Sequence, residues 1–158
     1  MKKTQKKLGN KGFSLVELIV VIAIMAVLVG VLAPTLIRNV EKSRESTDLQ
    51  TLDSLRGSVT TALSTETVNG KLPTGGATLT LGSGTLSGAT GVDADFVTAV
   101  STELSNDGVL TAAMKSKSGQ SGTVTIDIAA DGRVTVSVKD ADGGVVEAAR
   151  SKVNLEVK

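Results

Sequence analysis

The stretch GFSLVELIVVIAIMAVLVGVLAPTLI, residues 12–37, decides the fold of this chain. Residues 18–37 carry no charge, and a helix rising about 1.5 Å per residue covers over that length roughly the 30 Å of bilayer hydrocarbon. An acid, Glu17, stands directly before the run. An acid deep in a spanning helix costs about 2.5–3.5 kcal/mol, and such residues usually have a partner and a function.

Charge is distributed unevenly along the 158 residues. The first twelve residues hold five lysines and no acid, although the formal net charge of the whole chain is only +1. Loops rich in lysine stay cytoplasmic, so the residues after the apolar run are expected outside the membrane. From Phe13 onward 12 basic residues face 16 acidic ones. This balance argues against nucleic-acid binding, which needs a clustered basic face.

The composition leaves little from which to build an active site. Cysteine, histidine, tryptophan and tyrosine are all absent, and the aromatic residues are Phe13 and Phe96. Disulfides, thiolate or imidazole metal ligands and Cys or His catalysis are therefore excluded. We expect no catalytic residue, no cofactor and no metal site, and we expect the chain not to be an enzyme.

Two ordinary interpretations of the apolar run remain open. A secretory signal peptide would explain the basic start of the chain. However, the apolar run is longer than the usual 7–15 apolar residues and is opened by Glu17. Its best small-residue cleavage site is also followed by Pro34. A plain membrane anchor explains the length and leaves Glu17 unexplained. An acid in a first helical turn gains only about 0.3–1 kcal/mol from the helix dipole.

The segment Gly12-Phe13-Ser14-Leu15-Val16-Glu17 resembles the signature of type IV pilins and their pseudopilin relatives. The similarity lies in a basic leader that ends in Gly12, a Phe13 next to it, Glu17 as the fifth residue after the cut, a long apolar helix, and Pro34. The resemblance implies that a prepilin peptidase cleaves between Gly12 and Phe13 and methylates the new amine of Phe13. The apolar segment is then kept in the mature protein.

Glu17 gains a partner under this interpretation. Cleavage creates a cationic amine at Phe13, one helical turn before Glu17, and a carboxylate at that spacing can pair with it in the same chain or, as the resemblance implies, in a neighbouring subunit. An unpaired carboxylate in low dielectric is strongly penalised, so the pair selects subunits in the correct axial register. Glu17 is therefore predicted to be an assembly residue.

Gly30 and Pro34 form a weak point in the predicted helix. Pro34 has no N–H and crowds the carbonyl of Gly30, which itself has poor helix propensity. A simple kink is one interpretation. The other is that this segment extends or melts when subunits pack into a filament, as the resemblance implies.

Beyond residue 37 the helical period continues with a polar composition. Apolar residues recur on one face and predict an amphipathic helix that ends near residue 68: Val40, Leu49, Leu52, Leu55, Val59 and Leu63. Asn69-Gly70 supplies the stop. We interpret the charged stretch 38–48 as a solvated face that also spaces neighbouring subunits.

The remaining residues predict a small head with a sheet. Residues 70–92 are rich in Gly, Ser and Thr and are expected to form a loop with one short strand at 78–81. Asp93 is the predicted N-cap of a short helix that ends near Gly108 and buries Phe96.

A hairpin is predicted in residues 122–140. Its apolar rows stay in phase only if the loop is Ala130-Asp131-Gly132, which pairs Ile128 with Val134. A third strand is predicted at 152–157, and residues 139–144 are expected to form a plain turn in preference to a calcium loop. The resemblance would lead us to expect a C-terminal disulfide, which this sequence lacks.

The predicted architecture is α+β: a long N-terminal helix packed on an antiparallel sheet of three or four strands, the type IV pilin fold. The predicted segments are a leader at 1–12, a helix at 13–68 and a head at 69–158. Within the helix, residues 13–37 form the membrane and filament-core half, and residues 38–68 form the amphipathic half. Within the head, residues 69–92 form a connecting loop, and residues 93–158 form a helix and strands.

The function implied by the resemblance is that of a structural subunit of an extracellular type IV pilus. Its implied partners are identical subunits, prepilin peptidase, the cytoplasmic membrane before assembly, and a membrane assembly platform with its ATPase. A pseudopilin of a secretion or DNA-uptake system and a monomeric membrane-anchored domain are the alternatives.

Overall fold

The computed structural model describes residues 12–89, 91–111 and 113–158. The chain divides into two compact units, Met1–Ile37 and Arg38–Lys158. The fold is α+β, as predicted, with a long helix and an antiparallel sheet.

The first helix, α1, spans Leu15–Ser64 and contains Pro34. It starts two residues later than predicted and is followed by a separate short helix, α2, at Glu66–Asn69. Thr65 between them has extended backbone angles, φ −79° and ψ 137°, and its hydroxyl donates to the carbonyl of Ala62 at 2.7 Å. The predicted uninterrupted helix 13–68 is therefore broken at Thr65.

The part of the chain described here contains five strands, all antiparallel, in the order β2-β1-β3-β4-β5. Their bounds are β1 Ala77–Gly82, β2 Thr85–Gly88, β3 Thr123–Ile128, β4 Val134–Lys139 and β5 Glu156–Val157. The sheet has one strand more than the upper limit predicted.

The additional strand lies in the region predicted to be a loop. β1 and β2 form a hairpin in which Gly82 faces Thr85, so the turn consists of Ser83 and Gly84 alone. Both turn residues have positive φ, 34° and 81°, as a two-residue turn that matches strand twist requires. The Gly-Ser-Gly sequence 82–84 is thus a hairpin turn.

The β3–β4 hairpin confirms the predicted register. Ile128 pairs with Val134, and Ile126 with Val136. Gly132 has φ 82°, and its N–H donates to the carbonyl of Ala129 at 2.9 Å. The three-residue loop is the one that keeps both apolar rows on one face.

The C-terminal residues form a shorter strand than predicted. Of the range 152–157, β5 contains Glu156–Val157, and residues 148–153 turn back on themselves. The N–H of Ala148 donates to the carbonyl of Val153, and the N–H of Lys152, whose φ is 58°, donates to the carbonyl of Ala148. This C-terminal turn contacts α1, as described below.

Among the described residues, two helices lie between β2 and β3. α3 spans Ala94–Asn106 and begins at the predicted cap, Asp93, whose carboxylate accepts from the N–H of Asp95 at 2.7 Å. α4, at Lys117–Gln120, was not predicted.

A single core joins the second half of α1 to the sheet and α3. Its fully buried side chains include these, each 0% exposed: Leu52, Leu55, Val59, Leu79, Phe96, Val100, Leu104, Ile126, Val136, Val138 and Leu155. The sequence predicted that Phe96 is buried, and the structure confirms this.

Candidate functional site

Gly12 and Phe13 lie in non-helical chain before α1. Both residues are exposed, Phe13 by 92% of its surface. Among the described residues, no heavy atom outside Gly12 and its chain neighbours lies within 4 Å of a Cβ placed on Gly12. The peptide bond predicted to be cleaved therefore joins two exposed residues.

Glu17 lies in the first turn of α1 and has a hydrogen-bond partner. Its carboxylate accepts from the backbone N–H of Ser14 at 2.8 Å, while the carbonyl of Ser14 accepts the first helical bond, from Leu18 at 3.2 Å. This is the glutamate half of a capping box, in which the acid at the third helical position satisfies the N–H of the cap. The Ser-x-x-Glu spacing at 14–17 is the sequence signal for this contact, which sequence reasoning missed.

The predicted charge pair between Glu17 and Phe13 needs a free amine on Phe13. The uncleaved chain has no such amine, because Phe13 is joined to Gly12 through an amide. The carboxylate nevertheless points to the N-terminal end of the helix, where it bonds to the residue next to Phe13. The charge pair stays a prediction for the cleaved chain.

The apolar part of α1 has no partner within its own unit. The large apolar side chains of residues 13–37 are each 51% to 92% exposed. This helix has an apolar window of mean hydropathy 3.1, none of it buried, and is long and apolar enough to cross a membrane. Such a surface is far larger than the exposed apolar patches of soluble monomers.

Gly30 and Pro34 both lie inside α1, which is continuous through them. Both are exposed, and among the described residues no heavy atom other than the adjacent backbone of α1 lies within 4 Å of a Cβ placed on Gly30. Proline donates no hydrogen bond to the carbonyl four residues earlier. Flexibility of this segment stays a prediction.

Three acids of α1, beyond its apolar part, bind backbone amides of the head. Asp48 accepts from the N–H of Lys115 at 2.7 Å and of Ser116 at 2.9 Å, and also from the Ser116 hydroxyl. Glu41 accepts from the N–H of Lys117. These bonds join the helix to the loop before α4.

Glu45 makes the equivalent contact to the C-terminal turn. Its two carboxylate oxygens accept from the N–H groups of Arg150 at 2.9 Å and Ser151 at 2.8 Å. Glu45 and Asp48 are both 0% exposed. The interpretation of residues 38–48 as a solvated face is therefore wrong for these acids.

The sequence contained a signal for this arrangement. Positions 41, 45 and 48 continue, at spacings of four and three, the helical face that buries Leu52, Leu55 and Val59. Residues at these spacings lie on one side of a helix. The buried face of α1 is thus apolar where it packs on the sheet. It is acidic where it meets the two loops, whose backbone N–H groups need hydrogen-bond acceptors.

The environment of Glu45 favours its charged form. Burial raises the pKa, but the hydrogen bonds from Arg150 and Ser151 and the nearby Arg150 charge outweigh burial, so the pKa lies below its ordinary value of 4.5. The Ser151 hydroxyl lies nearby without a partner in hydrogen-bond geometry among the residues described. The hydrogen bonds in the structure that hold the carboxylate are therefore those from the two backbone amides.

Within the described ranges, no group of three or more acidic residues is arranged to hold a metal ion.

The long helix, the antiparallel sheet and the exposed apolar segment define a pilin-like α+β architecture. Residues 7–33 match the prokaryotic N-terminal methylation motif. The chain therefore carries a type IV prepilin-like signal motif, which indicates a structural subunit that a prepilin peptidase processes and that assembles in a membrane-associated, pilus-like system. No match was found among curated proteins or solved structures.

Proposed function

We propose that this protein is the pilin subunit of an extracellular type IV pilus. Prepilin peptidase removes residues 1–12 and methylates Phe13, and the mature chain waits in the cytoplasmic membrane through residues 13–37. An assembly platform driven by its ATPase then moves the chain into a helical filament of identical subunits.

The observation that carries this proposal is the unpartnered apolar segment in a chain that bears the methylation motif. Removing a large apolar side chain from water is worth about 1.5–3 kcal/mol, and the large apolar side chains of residues 13–37 are all exposed. Lipid satisfies this surface before assembly. Helices of other subunits replace lipid in a filament, with Gly30 and Pro34 as the place where the helix can adjust.

Glu17 has a role at each stage. Before cleavage its carboxylate is satisfied by the Ser14 N–H, which lowers the cost of keeping an acid beside an apolar run. After cleavage the cationic amine of Phe13 is a stronger partner than the neutral Ser14 N–H, because both groups of the pair then carry a charge. A neighbouring subunit in the correct register can supply that amine.

The proposal is tested by intact-mass spectrometry of the protein from its native cells. We expect a mature chain that begins at Phe13 and carries one methyl group. A chain that begins at Met1, or after Ala33, would contradict processing at this motif. Electron microscopy of the same cells then distinguishes a pilin, with long surface filaments that contain this chain, from a pseudopilin without them.

The role of Glu17 is tested by Glu17→Ala with Glu17→Gln as its matched control. Both variants remove the charge, but glutamine keeps an oxygen that can accept from Ser14. We expect both variants to be cleaved and both to lose filaments at least about tenfold, because a charge pair is missing. Wild-type assembly by Glu17→Ala would contradict the proposed pair.

A further inference from the structure

Exposed basic side chains surround the region where α1 meets the loops of the head. They lie in three segments that touch one another, namely residues 38–48 of α1, the segment 113–121 that contains α4, and the C-terminal turn 147–153. We call this set the basic patch, and all its members are exposed: Arg38, Lys42, Arg44, Lys115, Lys117, Arg150 and Lys152.

The backbone contacts that hold the loops also fix the basic side chains around the helix. The N–H of Lys115 binds Asp48 at 2.7 Å, and the N–H of Arg150 binds Glu45 at 2.9 Å. Because the main chain of each residue is held against α1, its charged side chain cannot move far from the helix. The fold of residues 38–158 therefore fixes the position of the basic patch.

The acids of the same region neutralise the patch only in part, because Glu41 pairs with Arg44 at 3.5 Å and the Arg150 charge acts on Glu45. Glu45 and Asp48 are fully buried, and the Glu41 side chain is 12% exposed. Their oxygens accept from backbone N–H groups of the two loops. One exposed acid, Glu147, lies in these segments and pairs with Lys152 at 3.3 Å.

Charge is strongly polarised across the unit Arg38–Lys158. The three segments hold seven basic and four acidic residues, a balance of +3, whereas the rest of this unit holds five basic and eleven acidic residues, a balance of −6. A distribution of this kind orients a domain in front of a charged surface.

The position of the patch in the chain indicates which surface that is. Arg38 directly follows the apolar run in the sequence. At about 1.5 Å per residue, Glu41 lies about 4.5 Å and Asp48 about 15 Å further along the helix. The polar layer on one side of a bilayer is roughly 5–8 Å thick and the screening length at physiological salt is about 8 Å.

We propose that the basic patch binds the headgroups of anionic phospholipids and holds the head against the membrane surface before assembly. This inference rests on the membrane anchoring in the proposed function and adds a second, electrostatic contact to the apolar one. Anionic lipid attracts basic residues close to the surface, and each such residue adds to the attraction.

The test uses the full chain in liposomes at low protein density, either of phosphatidylcholine alone or of phosphatidylcholine mixed with phosphatidylglycerol. The described chain has no cysteine, so Ala149→Cys places one fluorophore on the exposed C-terminal turn. A quencher on the lipid headgroup reports its proximity. We expect quenching at least about twofold stronger with phosphatidylglycerol, and a loss of that difference at high salt.

Two charge-reversal variants distinguish an effect of the basic patch from an effect of the net charge of the chain. The variant Lys115→Glu/Lys117→Glu/Arg150→Glu is expected to lose the dependence on phosphatidylglycerol. The matched variant Lys71→Glu/Arg133→Glu/Lys158→Glu changes three exposed basic residues outside the patch and is expected to keep it. If reversal lowers the melting temperature, the neutral variant Lys115→Gln/Lys117→Gln/Arg150→Gln takes its place.

Equal quenching in both lipids, or equal loss in both triple variants, would overturn the proposal. Quenching that rises with protein density in phosphatidylcholine alone would identify a second copy of the chain as the partner and would also overturn it. Flotation of the wild type with liposomes tests anchoring separately. A chain that floats without responding to phosphatidylglycerol contradicts the basic patch alone, whereas a chain that does not float contradicts both proposals.

Discussion

Asp48 lies on the buried face of α1, between Glu45 and the leucine and valine residues that pack on the sheet. It is 0% exposed and accepts from two backbone amides and one hydroxyl. A buried carboxylate is costly unless its oxygens are satisfied, and here the donors are supplied by a loop 67 residues later in the chain. The loop must therefore approach the helix closely.

Gly119 permits that approach. A Cβ on this residue would lie 2.5 Å from the Asp48 Oδ2 atom and 2.8 Å from the Cβ of Met114. We predict that Gly119→Ala lowers the free energy of unfolding by about 1–3 kcal/mol, because the loop must shift away from the carboxylate. Chemical denaturation in detergent micelles, followed by circular dichroism, measures this change.

Gly57→Ala is the matched control for Gly119→Ala. Gly57 is exposed within α1, and in the described part of the chain only the adjacent helix backbone lies within 4 Å of a Cβ placed on it. Alanine there should raise stability by about 0.5–1 kcal/mol through helix propensity. Equal effects of the two substitutions would contradict the steric explanation.

At the scale of elements, α3 is held to the core by one row of side chains. Phe96, Val100 and Leu104 are spaced by four residues and each is 0% exposed. Phe96 is the largest of the fully buried side chains. Its ring therefore decides how firmly α3 is bound to the sheet and to α1.

We predict that Phe96→Ala lowers the free energy of unfolding by about 3–5 kcal/mol, since it removes an aromatic side chain and leaves a cavity. Thr98→Ala, on the exposed side of the same helix, should change it by less than about 0.5 kcal/mol. The same denaturation measurement compares them. A loss below 1 kcal/mol for Phe96→Ala, on the order of a surface change, would show that α3 is not anchored by this ring.

The two hairpins show how far local pattern determines an element. In β3–β4 the alternation of Val124, Ile126 and Ile128 fixes the phase, so the register and the loop follow from the sequence. In β1–β2 the second strand has one large apolar residue, Leu86, and the turn begins with serine at positive φ. Because of that weak alternation, the sequence predicted the strand at 78–81, which corresponds to β1, but did not predict β2.

At the scale of the whole molecule, Glu45 makes stability depend on pH. Its pKa is lowered in the folded chain from the ordinary value of 4.5, so the folded chain takes up the proton less readily than the unfolded one. The contribution is complete above about 4.5 and is lost as pH falls through the folded-state pKa. The C-terminal turn then loses its acceptor on α1.

We predict that the melting temperature falls as the pH is lowered from neutral to below 4.5, and that Glu45→Gln reduces this dependence. At neutral pH the same variant should lose about 1–3 kcal/mol, because the amides of residues 150 and 151 face a neutral amide group. Calorimetry across pH measures both effects.

Two controls accompany the pH experiment. Glu66→Gln replaces an exposed acid and should leave the wild-type profile unchanged. Asp131→Asn tests the other acid whose pKa is lowered, chiefly by the Arg133 N–H; because this pair is exposed, we expect little effect. A Glu45→Gln profile parallel to the wild type would exclude Glu45 as the source.

The sequence by itself determined the features that depend on neighbouring residues. The methylation motif, the apolar run, the α+β class, the cap at Asp93 and the β3–β4 register all follow from composition, spacing or periodicity over short stretches. The assembly role of Glu17 and the cleavage at Gly12–Phe13 come from the same local signal and stay proposals.

Only the tertiary structure decided what the acids of residues 41–48 do. Their donors are backbone amides between 67 and 106 residues away, in segments that have no periodic pattern. The spacing of charged residues along a helix predicts which of them share one face. It does not predict whether that face meets solvent or backbone amides that need acceptors. The fold resolves this choice because it brings two loops against α1, which turns the acids inward and leaves the basic side chains outside.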